Sequence, residues 1–291
     1  MSTNFSDTDR SRDHNVQRVI IIEGSANFIV LLAKLWVGIS TGSLAILGDA
    51  IHSLTDVTNN VVAWVVIRLS ILPPDREHPY GHRKFETLAV FFLASLLAVL
   101  AFELALRAIS KEEVAIVSSS LELGIMLGVL LVNISLASWE RLWATRLKSD
   151  ILIADASHTF ADVLTTIVII IGWQLSAMGF LWLDRACALG VAGLIFYLAF
   201  NLYKKAMPVL VDEFAIDPDL ISSMILNIRG VKQVNRVRSR WIGTAKAIDI
   251  IISVEPSLTT DDSHNIASEI EALIDSKFGV SDISIHVEPF R

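Results

Sequence analysis

The chain has 291 residues, 53% of them apolar and only 19% charged, with a mean hydropathy of +0.56 and a net charge of −7. That composition excludes a disordered chain, which lacks apolar surface to bury, and leaves no electrostatic footprint for nucleic acid. Ordinary soluble domains carry about 25% charged residues, so a membrane protein is the first reading.

Residues 1–16 read as a polar tail on the cytoplasmic side, without the apolar core and small-residue cleavage site of a secretory signal. Six long apolar runs follow, at 17–41, 43–71, 85–110, 117–143, 149–178 and 181–206. Each can cross a hydrocarbon core of ~30 Å, which takes about 20 helical residues. Backbone polar groups in lipid must bond internally, so the runs are expected to be helices. The predicted membrane domain is therefore a six-helix unit over 17–208. Arg68, Arg76, Arg83 and Lys84 follow the second run, Arg141, Arg146 and Lys148 the fourth, and Lys204 and Lys205 the sixth. This bias predicts that both termini face the cytoplasm. Cys187, the single cysteine, lies inside the last run and can form neither an internal disulfide nor a thiolate cluster.

The composition changes near Val211, and 209–291 is expected to form a small cytoplasmic α+β domain. Asp217-Pro218-Asp219 reads as a helix start. Val231–Trp241 and Ala247–Val254 alternate as two strands, with Gly243 in the turn. Thr259–Phe278 has a helical period, with Ile266, Ile270, Leu273 and Ile274 on one face. Ser281–Val287 alternates again, which gives the order αββαβ.

The membrane runs contain a repeat. Asp49-Ala-Ile-His52-Ser-Leu-Thr-Asp56-Val57 in the second run returns as Asp155-Ala-Ser-His158-Thr-Phe-Ala-Asp162-Val163 in the fifth. A histidine and an aspartate four residues apart share one helix face, and the first aspartate lies almost below the second. A lone histidine in such a helix is usually a packing residue. Two copies of an Asp-His-Asp stripe instead point to one shared cation site, because carboxylates in a bilayer are costly unless paired. Imidazole plus carboxylate donors favour a tetrahedral divalent ion such as Zn²⁺, whereas an all-oxygen set would favour Mg²⁺, Ca²⁺ or Mn²⁺. The empty donor set can instead take up protons, so metal and proton compete, as antiport requires.

These features resemble the cation diffusion facilitator family, its zinc transporters especially. The resemblance rests on six helices, Gly42-Ser43-Leu44-Ala45-Ile46-Leu47-Gly48-Asp49 entering the second run, both stripes and the C-terminal αββαβ order. It implies a six-helix membrane domain, a ferredoxin-like cytoplasmic domain and a homodimer. It also implies divalent-cation efflux coupled to proton entry by alternating access. The family's transport-site positions fall on His52, Asp56, His158 and Asp162. Asp49 and Asp155 are expected in a supporting role: attracting cations, relaying protons or bonding neighbouring helices.

Asp75, His78 and His82 have ligand spacing on the loop after the second run. Such loops are usually just solvated. In the family, however, this D-x-x-H-x-x-x-H stretch can hold a second metal ion. Lys84 and Asp212 match a charge pair seen in the family between the membrane and cytoplasmic domains. Some relatives bind two zinc ions in the cytoplasmic domain through histidines. This chain keeps His264, His286 and Glu288 but has Asn235 and Ile251 where such relatives place histidines. The expectation there is one weak or dimer-shared site rather than a full cluster.

The reading is a Zn²⁺/H⁺ antiporter, with Zn²⁺ as transported substrate and regulatory ligand and no organic cofactor. Its partners are a second copy, the bilayer, divalent metal ions and protons, with no nucleic acid. Fe²⁺, Co²⁺, Cd²⁺ and Mn²⁺ are the rival cargoes. A membrane metalloenzyme is disfavoured, since there is no H-E-x-x-H motif and four ligands close a tetrahedron. A sensor without transport would need only the soluble domain. The expected location is a bacterial inner membrane.

Overall fold

The computed structural model describes residues 7–41, 44–110, 120–177, 181–243, 245–280 and 282–291. The side chains of Asp49 and His52 lie outside the described residues. Two compact units emerge. Among the described residues, one holds 7–73 together with Phe85–Lys204, and the other holds Pro74–Lys84 and Lys205–Arg291.

The first unit is helical. It contains α1 (Asp7–Thr41), α2 (Leu44–Ser70), α3 (Lys84–Ser110, but for its first residue), α4 (Ser120–Leu147) and α5 (Asp150–Ala177). Most of α6 (Leu181–Leu210) also belongs to it. Among the described residues, four stretches are long and apolar enough to cross a membrane: Ser11–Trp36, Lys84–Ser110, Asp150–Val168 and Arg185–Leu210. Of these, Asp150–Val168 on α5 is the most enclosed by the rest of the protein.

Helix α1 packs on α2, α4 on α5, and α1 on α4. A Cβ at Gly24 would come within 3.2 Å of the Asn60 Cβ, so a small residue sets the close approach of α1 to α2. Next to it, Asn27 Nδ2 donates to Asn60 Oδ1 at 2.8 Å. Tyr203 of α6 donates to Ser95 Oγ at 2.8 Å and meets Phe91 edge-on.

Helix α1 begins well before the expected apolar run, inside the stretch read as a tail. Arg12 explains why this first part is ordered. Its guanidinium donates to the Leu147 and Lys148 carbonyls at 2.8 and 3.0 Å, capping the end of α4. It also pairs with the buried Asp13.

The second unit carries the expected αββαβ order. Asp217 caps α7 (Pro218–Ile225), its side chain accepting from the Asp219 N–H, and Pro218 supplies a preset φ in the first turn. Strands β1 (Val231–Ile242), β2 (Ala245–Val254) and β3 (Asp282–Pro289) form one sheet in the order β1-β2-β3. β1 pairs antiparallel with β2, and β2 parallel with β3. The parallel pairing needs a crossover, which α8 (Thr260–Phe278) supplies. Thr259 and Asp262 form a capping box at its start, and Gly279 ends it at φ 62°.

Alternation along β2 turns Ile248, Ile250, Ile252 and Val254 into the core, where they meet Ile221 and Ile225 of α7 and Ile270 and Ile274 of α8. Each such fully buried side chain contributes about 1.5–3 kcal/mol.

Candidate metal centre

Helix α2 carries Asp56, and α5 carries His158 and Asp162 one turn apart. The fold brings these three together. His158 Nε2 lies 3.6 Å from Asp56 Oδ1 and 3.9 Å from Asp162 Oδ2. One donor atom from each falls within a 4.8 Å group. His158 is 8% exposed, and among the described residues neither of its ring nitrogens has a hydrogen-bond partner, nor has Asp56 Oδ1. An imidazole flanked by carboxylates from two helices is a donor set for a divalent cation. His52 precedes Asp56 by one turn on the same helix; its side chain, like that of Asp49, lies outside the described residues. Asp155, 3% exposed, accepts from Asn60 Nδ2 at 3.2 Å and so ties α5 to α2. It lines the same polar cavity as Asp56, His158 and Asp162.

The loop donors also meet. Asp75 Oδ1 accepts from the Glu77 and His78 backbone N–H groups at 3.0 and 2.6 Å, an Asx-type turn. The His78 N–H, seconded by its ring, holds the Asp75 carboxyl below its ordinary range. That turn points His78 Nδ1 at Asp75 Oδ1, 3.2 Å away, while His82 Nε2 sits 3.5 Å from Oδ2. The two rings lie 4.2 Å apart between centroids. His82 is buried, whereas Asp75 and His78 face solvent.

This loop belongs to the same compact unit as the C-terminal sheet. Lys84 Nζ donates to Asp212 Oδ1 at 2.6 Å, and Arg240 stacks over the Tyr80 ring. At Gly243, φ 62°, a Cβ would sit 2.7 Å from the Arg83 Cβ, so this turn admits only glycine.

The sheet residues form no comparable group. Nε2 of His286 is 3.6 Å from Glu288 Oε1, both on β3. His264 lies exposed on α8 and joins them in no three-donor group among the described residues. Asn235 donates to Ser253 Oγ at 2.8 Å and to Glu288 Oε2 at 3.0 Å, linking all three strands.

Two features escaped the sequence reading: the buried Glu23, Glu140 and Asp155, which gather into one group, and Lys34, which donates to Ser53 Oγ at 2.7 Å. Glu23 and Lys34 interrupt an otherwise apolar run, and an ionisable residue there is the signal that could have found them.

Comparison with known proteins decides the family. A family model described as the cation efflux transmembrane domain matches residues 20–211, and one described as the cation efflux protein cytoplasmic domain matches 216–290. The chain belongs to the cation diffusion facilitator family. It is a family of membrane transporters of metal cations, not of enzymes.

The manganese efflux system protein MneP of Bacillus subtilis is 28% identical, over 96% of this chain and 98% of its own. The cation-efflux pump FieF of Pectobacterium carotovorum is also 28% identical, over 95% and 94%. An uncharacterized transporter of Methanocaldococcus jannaschii is 26% identical, over 94% and 98%. Among solved structures, a MamM C-terminal domain is 25% identical with a TM-score of 0.24, covering 25% of this chain and 92% of its own.

Proposed function

We propose that this protein exports a divalent metal cation, zinc by preference, from the cytoplasm in exchange for protons. The observation that carries the reading is the meeting of Asp56 with His158 and Asp162 across α2 and α5. His52, one turn from Asp56, is the fourth ligand in this proposal. Two carboxylates cancel one divalent charge, and protons can replace the metal on the same donors. That exchange couples the two fluxes when the site alternates between the two sides of the membrane.

The proposal includes six spanning helices, cytoplasmic termini, a bacterial inner membrane and a homodimer joined by the C-terminal domains. The match to a cytoplasmic-domain family model named for its dimer supports the last. Asp75, His78 and His82 form a regulatory zinc site on the cytoplasmic side. His264, His286 and Glu288 offer one weak or dimer-shared site. Manganese is the second reading for the cargo, because two Bacillus subtilis relatives, 28% and 29% identical, are named manganese efflux proteins.

Proteoliposomes loaded with a pH dye test the proposal when Zn²⁺, Cd²⁺, Co²⁺, Fe²⁺ and Mn²⁺ are offered singly. Zinc flux with an opposing proton flux, lost in Asp162→Ala, is the expected result. A faster manganese flux replaces zinc as cargo. Metal flux that moves no protons, or that persists in Asp162→Ala, overturns the mechanism.

A further inference from the structure

Glu23 on α1, Glu140 on α4 and Asp155 on α5 converge inside the membrane unit. Each offers a carboxylate oxygen, and the three atoms lie within 4.8 Å of one another. Glu23 is 1% exposed and Glu140 is fully buried. All four carboxylate oxygens of these two residues are enclosed and, among the described residues, without a hydrogen-bond partner. Asp155 accepts from the neutral Asn60 amide, whose own oxygen is held by Asn27. The convergence is therefore not a salt-bridge network that satisfies itself.

Carboxylates this close, out of water, repel one another and lack solvation. Either protons or a metal cation must neutralise them. Three atoms no more than 4.8 Å apart surround a point within about 2.8 Å of each, close to the 2.3–2.6 Å of a calcium–oxygen bond. Small side-chain rotations would close the remaining gap. The donors are all oxygen, with no imidazole and no thiolate, which selects a hard cation. Glu23 and Asp155 line the same cavity as Asp56, His158 and Asp162. Two of the three acidic donors thus border the cavity that the His158 set lines.

We propose that Glu23, Glu140 and Asp155 form a second cation site in the membrane domain, an oxygen-only site for a hard divalent cation of the Mn²⁺, Mg²⁺ or Ca²⁺ type. It is separate from the His158 donor set and does not depend on which metal that set carries. Two cations in one cavity repel, so occupancy here weakens the hold on metal at His158 and favours its release.

Mn²⁺ is the probe, used on the full-length protein in detergent. His78→Ala, His82→Ala, His264→Ala and His286→Ala remove the other histidine-containing candidates, and Asp162→Asn weakens the His158 set. In this background one Mn²⁺ per chain is expected by equilibrium dialysis. Its electron spin-echo spectrum should show no ¹⁴N modulation, since no imidazole binds it. Adding Glu23→Gln and Glu140→Gln should weaken that binding at least tenfold. No bound Mn²⁺ in the background, ¹⁴N modulation from a histidine, or Mn²⁺ held as tightly by the Gln pair would each overturn the proposal. Where the double variant does not fold, the single variants Glu23→Gln and Glu140→Gln, each made in the same background, carry the same test. Failure of zinc transport in Asp162→Ala bears on the His158 site alone, which keeps the two proposals separable.

Discussion

In the C-terminal unit, buried Ser239 accepts from the Ala215 and Ile216 N–H groups and donates to the Ile216 carbonyl. In the membrane unit, buried Glu140 has neither carboxylate oxygen hydrogen-bonded. The contrast extends beyond this pair. Asn235 spends its amide across three strands, while His158 leaves both ring nitrogens unbonded. A buried polar group left unmet costs about 1–3 kcal/mol, and charged groups cost more. Ser239 and Asn235 avoid that cost as residues of a stable scaffold do. Glu140 and His158 carry it where a cation would supply the missing partner.

The largest test of the contrast removes one group from each region. Asp162→Ala should lower metal flux at least about 100-fold, since a charge-compensating donor is lost. It should leave amide-exchange protection of β2 unchanged; loss of that protection would blur the distinction between the regions. Ile270→Ala should act in the opposite sense. It should destabilise the C-terminal unit by about 2–5 kcal/mol, read by exchange at β2 and β3, without moving the metal preference. A shift in metal preference would mean that the sheet reaches into selectivity.

Asn60→Leu sharpens the comparison inside the membrane unit. It leaves Asn27 and Asp155 without their shared partner, and a cost of about 1–3 kcal/mol in thermal unfolding is expected. An unchanged melting temperature would show those bonds to be replaceable.

The loop site should respond to acid in a defined way. Asp75 is depressed, so its charge is lost only as pH falls through that lowered value. Asp75 should therefore keep its charge, and its hold on zinc, well into acid. Asp75→Asn should weaken zinc binding, as titration calorimetry would show. Lys84→Ala should do least. Its ion pair with Asp212 is 39% and 56% exposed, and such pairs contribute about 0–1 kcal/mol.

Much of the C-terminal unit could be read directly because its signals are local. Asp217-Pro218 and Thr259 with Asp262 mark helix starts, Gly279 marks a stop, and alternation in β2 identifies its buried face. The Asp75, His78 and His82 spacing likewise reflects a single turn. The grouping of Glu23, Glu140 and Asp155 was not legible. It depends on the rotation of three apolar helices about their axes, and apolar runs do not encode that phase. The ordering of the N-terminal stretch was missed for a related reason: the carbonyls that Arg12 caps lie more than a hundred residues away.

The C-terminal unit is assembled from two stretches of chain, with Pro74–Lys84 arriving from between α2 and α3. Its boundary therefore cannot be opened by a single protease cut. Cleavage near Lys205 would sever one covalent tie, while the Lys84 pair, the Tyr80 stack and the Arg83–Gly243 fit would still hold the fragment. A fragment expressed from Val211 onward would expose the surface those residues normally cover.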